Sequence, residues 1–249
     1  MTPAEHQKAM TSLITKIGRD TGQRVWEVFS DWIECAAISL SNTLPHRDHA
    51  AREERFARHQ DTYGAENITR FSHLLGHLTM WLEQEPTDAL GQLYMRLDLG
   101  NAHTGQFFTP FEVSELMAGL TITSPQDLQE RINTRGFITV SEPTCGAGGM
   151  LIAFANRMRD AGLNPQQQAH FTGVDIDITC VHMTFTQLSL LGLPAVIIHG
   201  DVLKLEERSH WITPMHHAGL WRWRLQREPA DVQAPAAVVE QPALFEVVT

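Results

Sequence analysis

The chain of 249 residues is 43% hydrophobic, enough to bury one sizeable core, or a core domain plus a smaller helical one. Its 19 basic and 29 acidic side chains leave a formal net charge of -10, which argues against a protein that coats nucleic acid through a basic surface of its own. Charged residues interrupt every apolar run before it could cross a bilayer, no signal peptide is evident, and the odd, unclustered Cys35, Cys145 and Cys180 fit a reducing cytoplasm better than a disulfide framework.

Residues 4–99 read as wholly helical. Apolar residues recur at helical spacing through Val25, Phe29, Trp32, Ile33 and Ala36, and again through Phe71, Leu74, Leu75, Leu78 and Leu82. This predicts a helical N-terminal domain over residues 1–100. Between those runs, residues 45–64 are rich in Arg, Glu and His and read as a loop and a solvated helix, with His46, His49 and His59 solvated rather than bound to metal. In Gly105-Gln-Phe-Phe-Thr-Pro110, Thr109 is expected as a helix N-cap. Pro110 suits the first helical position and Glu112 completes a capping box. On the residues alone, Phe107 and Phe108 read as core. Ser124-Pro125 then opens a short helix that Gly136 ends.

From residue 137 strand and helix alternate. Residues 137–140, 170–174 and 195–199 read as strands, and residues 150–161 and 178–191 as helices, with Gly162 and Gly192 at the helix ends and Asp177 as a cap. Such alternation predicts a mostly parallel sheet with crossover helices, in a domain over residues 101–228. After Asp201 the pattern fades, and residues 229–249 read as a tail or an irregular cover over the sheet edge. Leu220-Trp-Arg-Trp-Arg-Leu225 suits an amphipathic cover or a partner contact, with stacking on nucleic acid as the alternative.

Between the first strand and its helix lies Glu142-Pro-Thr-Cys-Gly-Ala-Gly-Gly149. Gly146, Gly148 and Gly149 weaken any element they occupy, a cost that a closely approaching ligand would justify. A tight turn with no ligand stays open as the alternative. A nicotinamide dinucleotide is a further competitor, since Asp175 ends the second strand where a ribose diol needs an acceptor, but the spacing Gly-x-Gly-x-x-Gly is not met. Asp201 at the third strand's end reads in isolation as a turn residue.

At Gly105–Pro110 and Glu142–Leu151 the sequence resembles the adenine-specific DNA methyltransferases, in particular the modification subunits of type I restriction-modification systems. Those proteins carry a Gly-Gln-Phe-Tyr/Phe-Thr-Pro segment and an Asp-Pro-Ala-Cys-Gly-Thr-Gly-Gly-Phe-Leu loop in the same order. Here Glu142, Thr144, Ala147 and Met150 depart from the loop without removing a needed group. The resemblance spans about residues 70–203 and implies a Rossmann-like, S-adenosylmethionine-dependent methyltransferase domain. It implies that Phe107, Phe108 and Thr109 wall or bind the cofactor. Glu142, Cys145, Gly146 and Gly148 would serve its amino acid end, Asp175 its ribose and Asp201 its adenine.

The family's catalytic Asn-Pro-Pro-Phe/Tyr, which accepts from the target adenine's amino group and stacks on the flipped base, does not occur in the sequence. The nearest counterpart is Ile212-Thr-Pro-Met-His216, so Thr213 and Pro214 are the catalytic candidates, although Thr213 lacks a carboxamide and no apolar strand precedes it. A full sheet of this family needs more strands than the about 46 residues after Leu203 can supply, so the domain reads as shortened. Three functions follow: an adenine methyltransferase completed by a second subunit, a noncatalytic relative that acts on such a partner, and an NAD-dependent oxidoreductase.

Overall fold

A computed structural model describes residues 1–99, 108–122, 124–226 and 246–248. Gly105, Gln106 and Phe107, and the tail up to residue 245, lie outside the described residues. Helix α1 (Pro3–Thr21) opens with a capping box between Thr2 and Glu5 and closes at Gly22, which takes the left-handed conformation that glycine tolerates. It is followed by α2 (Val25–Ser41), α3 (His49–Gln84) and α4 (Ala89–Arg96), whose N-cap Asp88 accepts from Gly91 N. These helices agree with the helical reading of residues 4–99. Residues 45–64 form the loop and largely solvated helix that were read, except that Tyr63 and Arg52 are buried, the Arg52 guanidinium 3.6 Å from the centroid of the Trp211 ring. Arg52 also donates to Ser41 Oγ and to the carbonyl of His210. A polar pattern locally means a solvated face, but here distant residues supply the partners that let a guanidinium go inside.

Helix α5 (Phe111–Thr121) begins one residue later than the capping box requires. Pro110 is the N-cap and makes no side-chain cap bond, so Thr109 stands outside the helix and Glu112 falls at its second position rather than its third. The expected reciprocal pair is therefore absent. Helix α6 (Pro125–Arg135) is as read, with Ser124 accepting from Asp127 N and Gly136 left-handed at the other end.

The sheet then forms from β1 (Ile138–Glu142), α7 (Gly149–Asp160), α8 (Pro165–Gln168), β2 (Ala169–Asp175), α9 (Ile178–Leu190) and β3 (Ala195–Asp201). Both β1/β2 and β2/β3 pair in parallel, so Glu142 and Asp175 stand side by side at the carboxyl ends of their strands. β4 (Glu206–Ile212) returns antiparallel to β3. It was not legible as a strand, since Trp211 is its one buried residue and an edge strand can leave the rest in solvent. Two short helices, α10 (Pro214–Ala218) and α11 (Trp221–Arg224), follow, and β5 (Glu246–Val248) pairs antiparallel with β1. The strand order is β4-β3-β2-β1-β5, a mixed α/β sheet with a parallel centre and antiparallel edges.

Helix α9 joins the two halves of the molecule. Residues 180–188 are all buried, with Val181, Phe185 and Leu188 in the core under the sheet while Cys180 and Met183 share a second core with Phe29, Trp32 and Leu78. The helix is covered by strands on one side and by α2 on the other, so that its His182, Thr184, Thr186 and Gln187 are buried along with its apolar residues.

Candidate functional site

The loop between β1 and α7 is built by backbone bonds to β2. Cys145 N donates to Val174 O at 2.8 Å, and Gly146 N donates to Asp175 Oδ2 at 2.9 Å. The other carboxylate oxygen of Asp175 accepts from Asp177 N at 2.9 Å, so this side chain fixes both the loop and the turn into α9. From α9, Thr184 Oγ1 donates to Gly146 O and Gln187 Nε2 to Ala147 O, both at 2.7 Å. Gly146 and Gly148 have φ of 53° and 93°. A Cβ on Gly146 would come within 3.2 Å of the Phe108 ring, and one on Gly148 within 3.1 Å of Thr184. The chain's own packing therefore requires both glycines.

A cavity of about 160 Å³ opens beside this loop. Phe108 and Thr109 line it from the segment before α5, and Cys145, Gly146 and Asp175 line it from the loop and β2. Phe108 is half-buried and held edge-on by Tyr94, 5.0 Å between ring centroids, while Thr109 is exposed. The two sequence segments thus meet across one space. Asp88, Ser114 and Cys180 also line it, and none of these three was named as a site residue from the sequence. Asp88 carried a legible signal as a helix cap before Gly91, but the sequence holds nothing that says it would line a cavity.

Several expected residues lie elsewhere. Glu142 is 3% exposed and is not part of the cavity wall. Its Oε1 accepts from Thr144 N at 3.3 Å and from Thr144 Oγ1 at 3.4 Å, and its Oε2 is buried without a partner. Gly148 turns toward Thr184. Asp201 sits in the β3–β4 turn, accepting from the backbone N–H groups of Leu203 at 3.0 Å and Lys204 at 3.3 Å, away from the cavity wall. Phe107 lies outside the described residues.

Thr213 and Pro214, the catalytic candidates, are placed at the wrong end of the sheet. Ile212 pairs with Val196 near the start of β3, whereas the cavity lies at the carboxyl ends of β1 and β2. Thr213 is fully buried, with its hydroxyl donating to Leu193 O and accepting from Ala195 N, each at 2.8 Å. Both capabilities of that hydroxyl are used in tying β4 to β3. Pro214 opens α10. Neither residue lines the cavity.

The cavity is acidic. Asp88 and Asp175 line it and, among the described residues, no Lys, Arg or His does. Burial raises the pKa of both carboxyls, and also that of Glu142 nearby. Burial likewise pushes the Cys145 and Cys180 thiols up, so they stay protonated and are not nucleophiles at neutral pH. Among the described residues no group of three His, Cys, Asp or Glu could hold a metal ion, and no helix is long and apolar enough to cross a membrane.

A family model for N-6 DNA methylases matches residues 87–217, more than half of the chain. The match begins beside Asp88 and takes in every described residue of the cavity wall. No curated protein matches the chain.

Proposed function

From a chain that belongs to the N-6 DNA methylase family, we propose that the cavity binds S-adenosylmethionine within a Rossmann-like domain. In this reading the protein serves methylation of the adenine amino group of DNA together with a second subunit, as in type I restriction-modification systems. The observation that carries it is the cavity lined by Asp88 and Asp175, and by no basic side chain among the described residues, at the carboxyl ends of parallel strands, where the glycine loop meets the Phe108 segment. Ligands of open α/β sheets bind at this edge. A cofactor with a sulfonium and an ammonium suits two carboxyls that no described basic side chain compensates.

S-adenosylmethionine supplies a methyl group already activated for transfer. The chain's own residues bind and orient it: Asp175 accepts from ribose hydroxyls through lone pairs left by its two backbone bonds, and Phe108 covers one wall. Base-reading groups come from the second subunit. A noncatalytic relative that binds the cofactor and acts on such a partner is the other reading, favoured by the burial of Thr213 and by the lack of Asn-Pro-Pro in the sequence.

Thermal denaturation tests the cofactor assignment. S-adenosylmethionine at about 100 times its Kd is expected to stabilise the chain by ~2.7 kcal/mol, and NAD is expected to do nothing. Asp175→Ala should lose that response. No shift with S-adenosylmethionine at millimolar concentration, or a shift with NAD alone, would defeat the proposal. Transfer of a tritiated methyl group to DNA separates its two forms: activity with a partner supports the enzyme, and none with any partner supports the noncatalytic relative.

A further inference from the structure

One end of the acidic cavity holds a buried hydroxyl without a partner beside a carboxyl that uses one oxygen only. Asp88 and Ser114 are 4% and 1% exposed. They come from separate elements, the cap of α4 and the start of α5, and they meet beside Gly149. A Cβ on that glycine would lie 3.2 Å from Asp88 Oδ2 and 3.5 Å from Ser114 Oγ. Asp88 Oδ1 is fully engaged, accepting from Gly91 N at 2.8 Å and from Gln187 Nε2 at 2.9 Å. Oδ2 receives no hydrogen bond from any described residue. The Ser114 hydroxyl is buried with no partner at all, although both side chains line the cavity.

The Ser114 hydroxyl is buried without a partner, beside a buried carboxyl whose Oδ2 accepts from no described residue; an unpaired buried hydroxyl costs free energy and persists where something else satisfies it. Donors and positive charge suit the space best, because Asp88 and Asp175 both line it and no described basic side chain does. Of the groups on S-adenosylmethionine, the sulfonium has charge but no donor, and the ribose and adenine have donors but no charge. The α-ammonium alone has both, with three N–H groups on a compact cation.

We infer that Asp88 and Ser114 form the subsite for the α-ammonium of the cofactor's methionine end, a place that the family resemblance would give to Glu142. This rests on the reading of the cavity as an S-adenosylmethionine site. Glu142 is turned to Thr144 and stands outside the cavity wall, whereas Asp88 and Ser114 line it. Gln187 acts as a positioning residue, holding Asp88 through Oδ1 so that Oδ2 stays free for the ligand.

Calorimetric titration with S-adenosylhomocysteine, and with its analogue in which hydrogen replaces the α-amine, tests the assignment. The wild-type chain is expected to prefer the amine by about 10- to 100-fold, the range for a hydrogen bond to a charged group. Asp88→Asn keeps the acceptor for Gly91 N and Gln187 but removes the charge, and should bind the two compounds equally. Ser114→Ala should lose several-fold for the amine compound alone, with an unchanged or raised Tm, and it carries the test if Asp88→Asn fails to fold. Glu142→Gln should keep the preference. Retention of the full preference by Asp88→Asn, or its loss in Glu142→Gln alone, would overturn the inference. Equal binding by the wild type would overturn it while sparing the cofactor reading; binding of neither compound would overturn both.

Discussion

Single side chains do more joining here than their residue types suggest. Gln187 is fully buried, and its amide reaches three places: Asp88 Oδ1, the carbonyl of Ala147 in the glycine loop, and Leu90 N at the start of α4. A glutamine within a helix carries no sequence signal for such a role, since its partners lie about 40 and 99 residues away along the chain. Gln187→Leu keeps the volume, strands Ala147 O and Leu90 N, and leaves Asp88 Oδ1 with Gly91 N alone. We expect a loss of ~2–4 kcal/mol in urea unfolding, from buried groups left unpaired. Asp175 teaches the converse. Its position at a strand end made it legible as a ligand group, yet both of its oxygens first serve the backbone, at Gly146 and Asp177. Glu142 and Asp201 were given cofactor roles by the resemblance alone, and both turn toward their own chain neighbours, Asp201 as the turn residue that it is in isolation.

At the scale of elements, the helices and parallel strands were readable because their apolar periods are long and their ends carry Ser124, Asp177, Gly136 and Gly162. Elements without such period or punctuation were not. Strand β4 exposes most of its side chains, and the start of α5 shifts by one residue because Pro110 rather than Thr109 caps it. Within α3, Gly64 has φ 70° and ψ 164°, a conformation open in practice to glycine alone, and the helix kinks there. The space around it is free: nothing lies within 4 Å of where a Cβ would stand. Gly64→Ala is therefore a test of backbone strain without steric clash. It should cost ~1–3 kcal/mol, or straighten α3, and an unchanged Tm would refute the strain.

Over the whole molecule, acid tolerance depends on three buried histidines. Burial lowers His170 and His182 to about 3 and His216 to about 4, with His170 and His216 2.9 Å apart and His182 packed on Trp211. Each folded-state pKa lies below the unfolded value of about 6.5, so on acidification the unfolded chain takes up the proton first. Stability should fall as the pH drops from about 6.5 toward 4, by up to ~1.4 kcal/mol per pH unit for each histidine. The carboxyls of Asp88, Asp175 and Glu142, raised by burial, work in the opposite sense. Urea midpoints at pH 7 and pH 5 measure the balance, and His182→Leu should reduce proton uptake on unfolding by about one. An equal pH slope in that variant would remove His182 from the account. The sequence by itself determined the helical start, the order of strands and helices around the glycine loop, and the family, because these are encoded in local periodicity and in contiguous motifs. Only the tertiary structure decided which carboxyls face the cavity, that Thr213 is spent on the sheet, and that Arg52 goes inside over Trp211. Those outcomes depend on partners far apart in the chain, and a side chain's local pattern carries no record of the neighbour that will satisfy it.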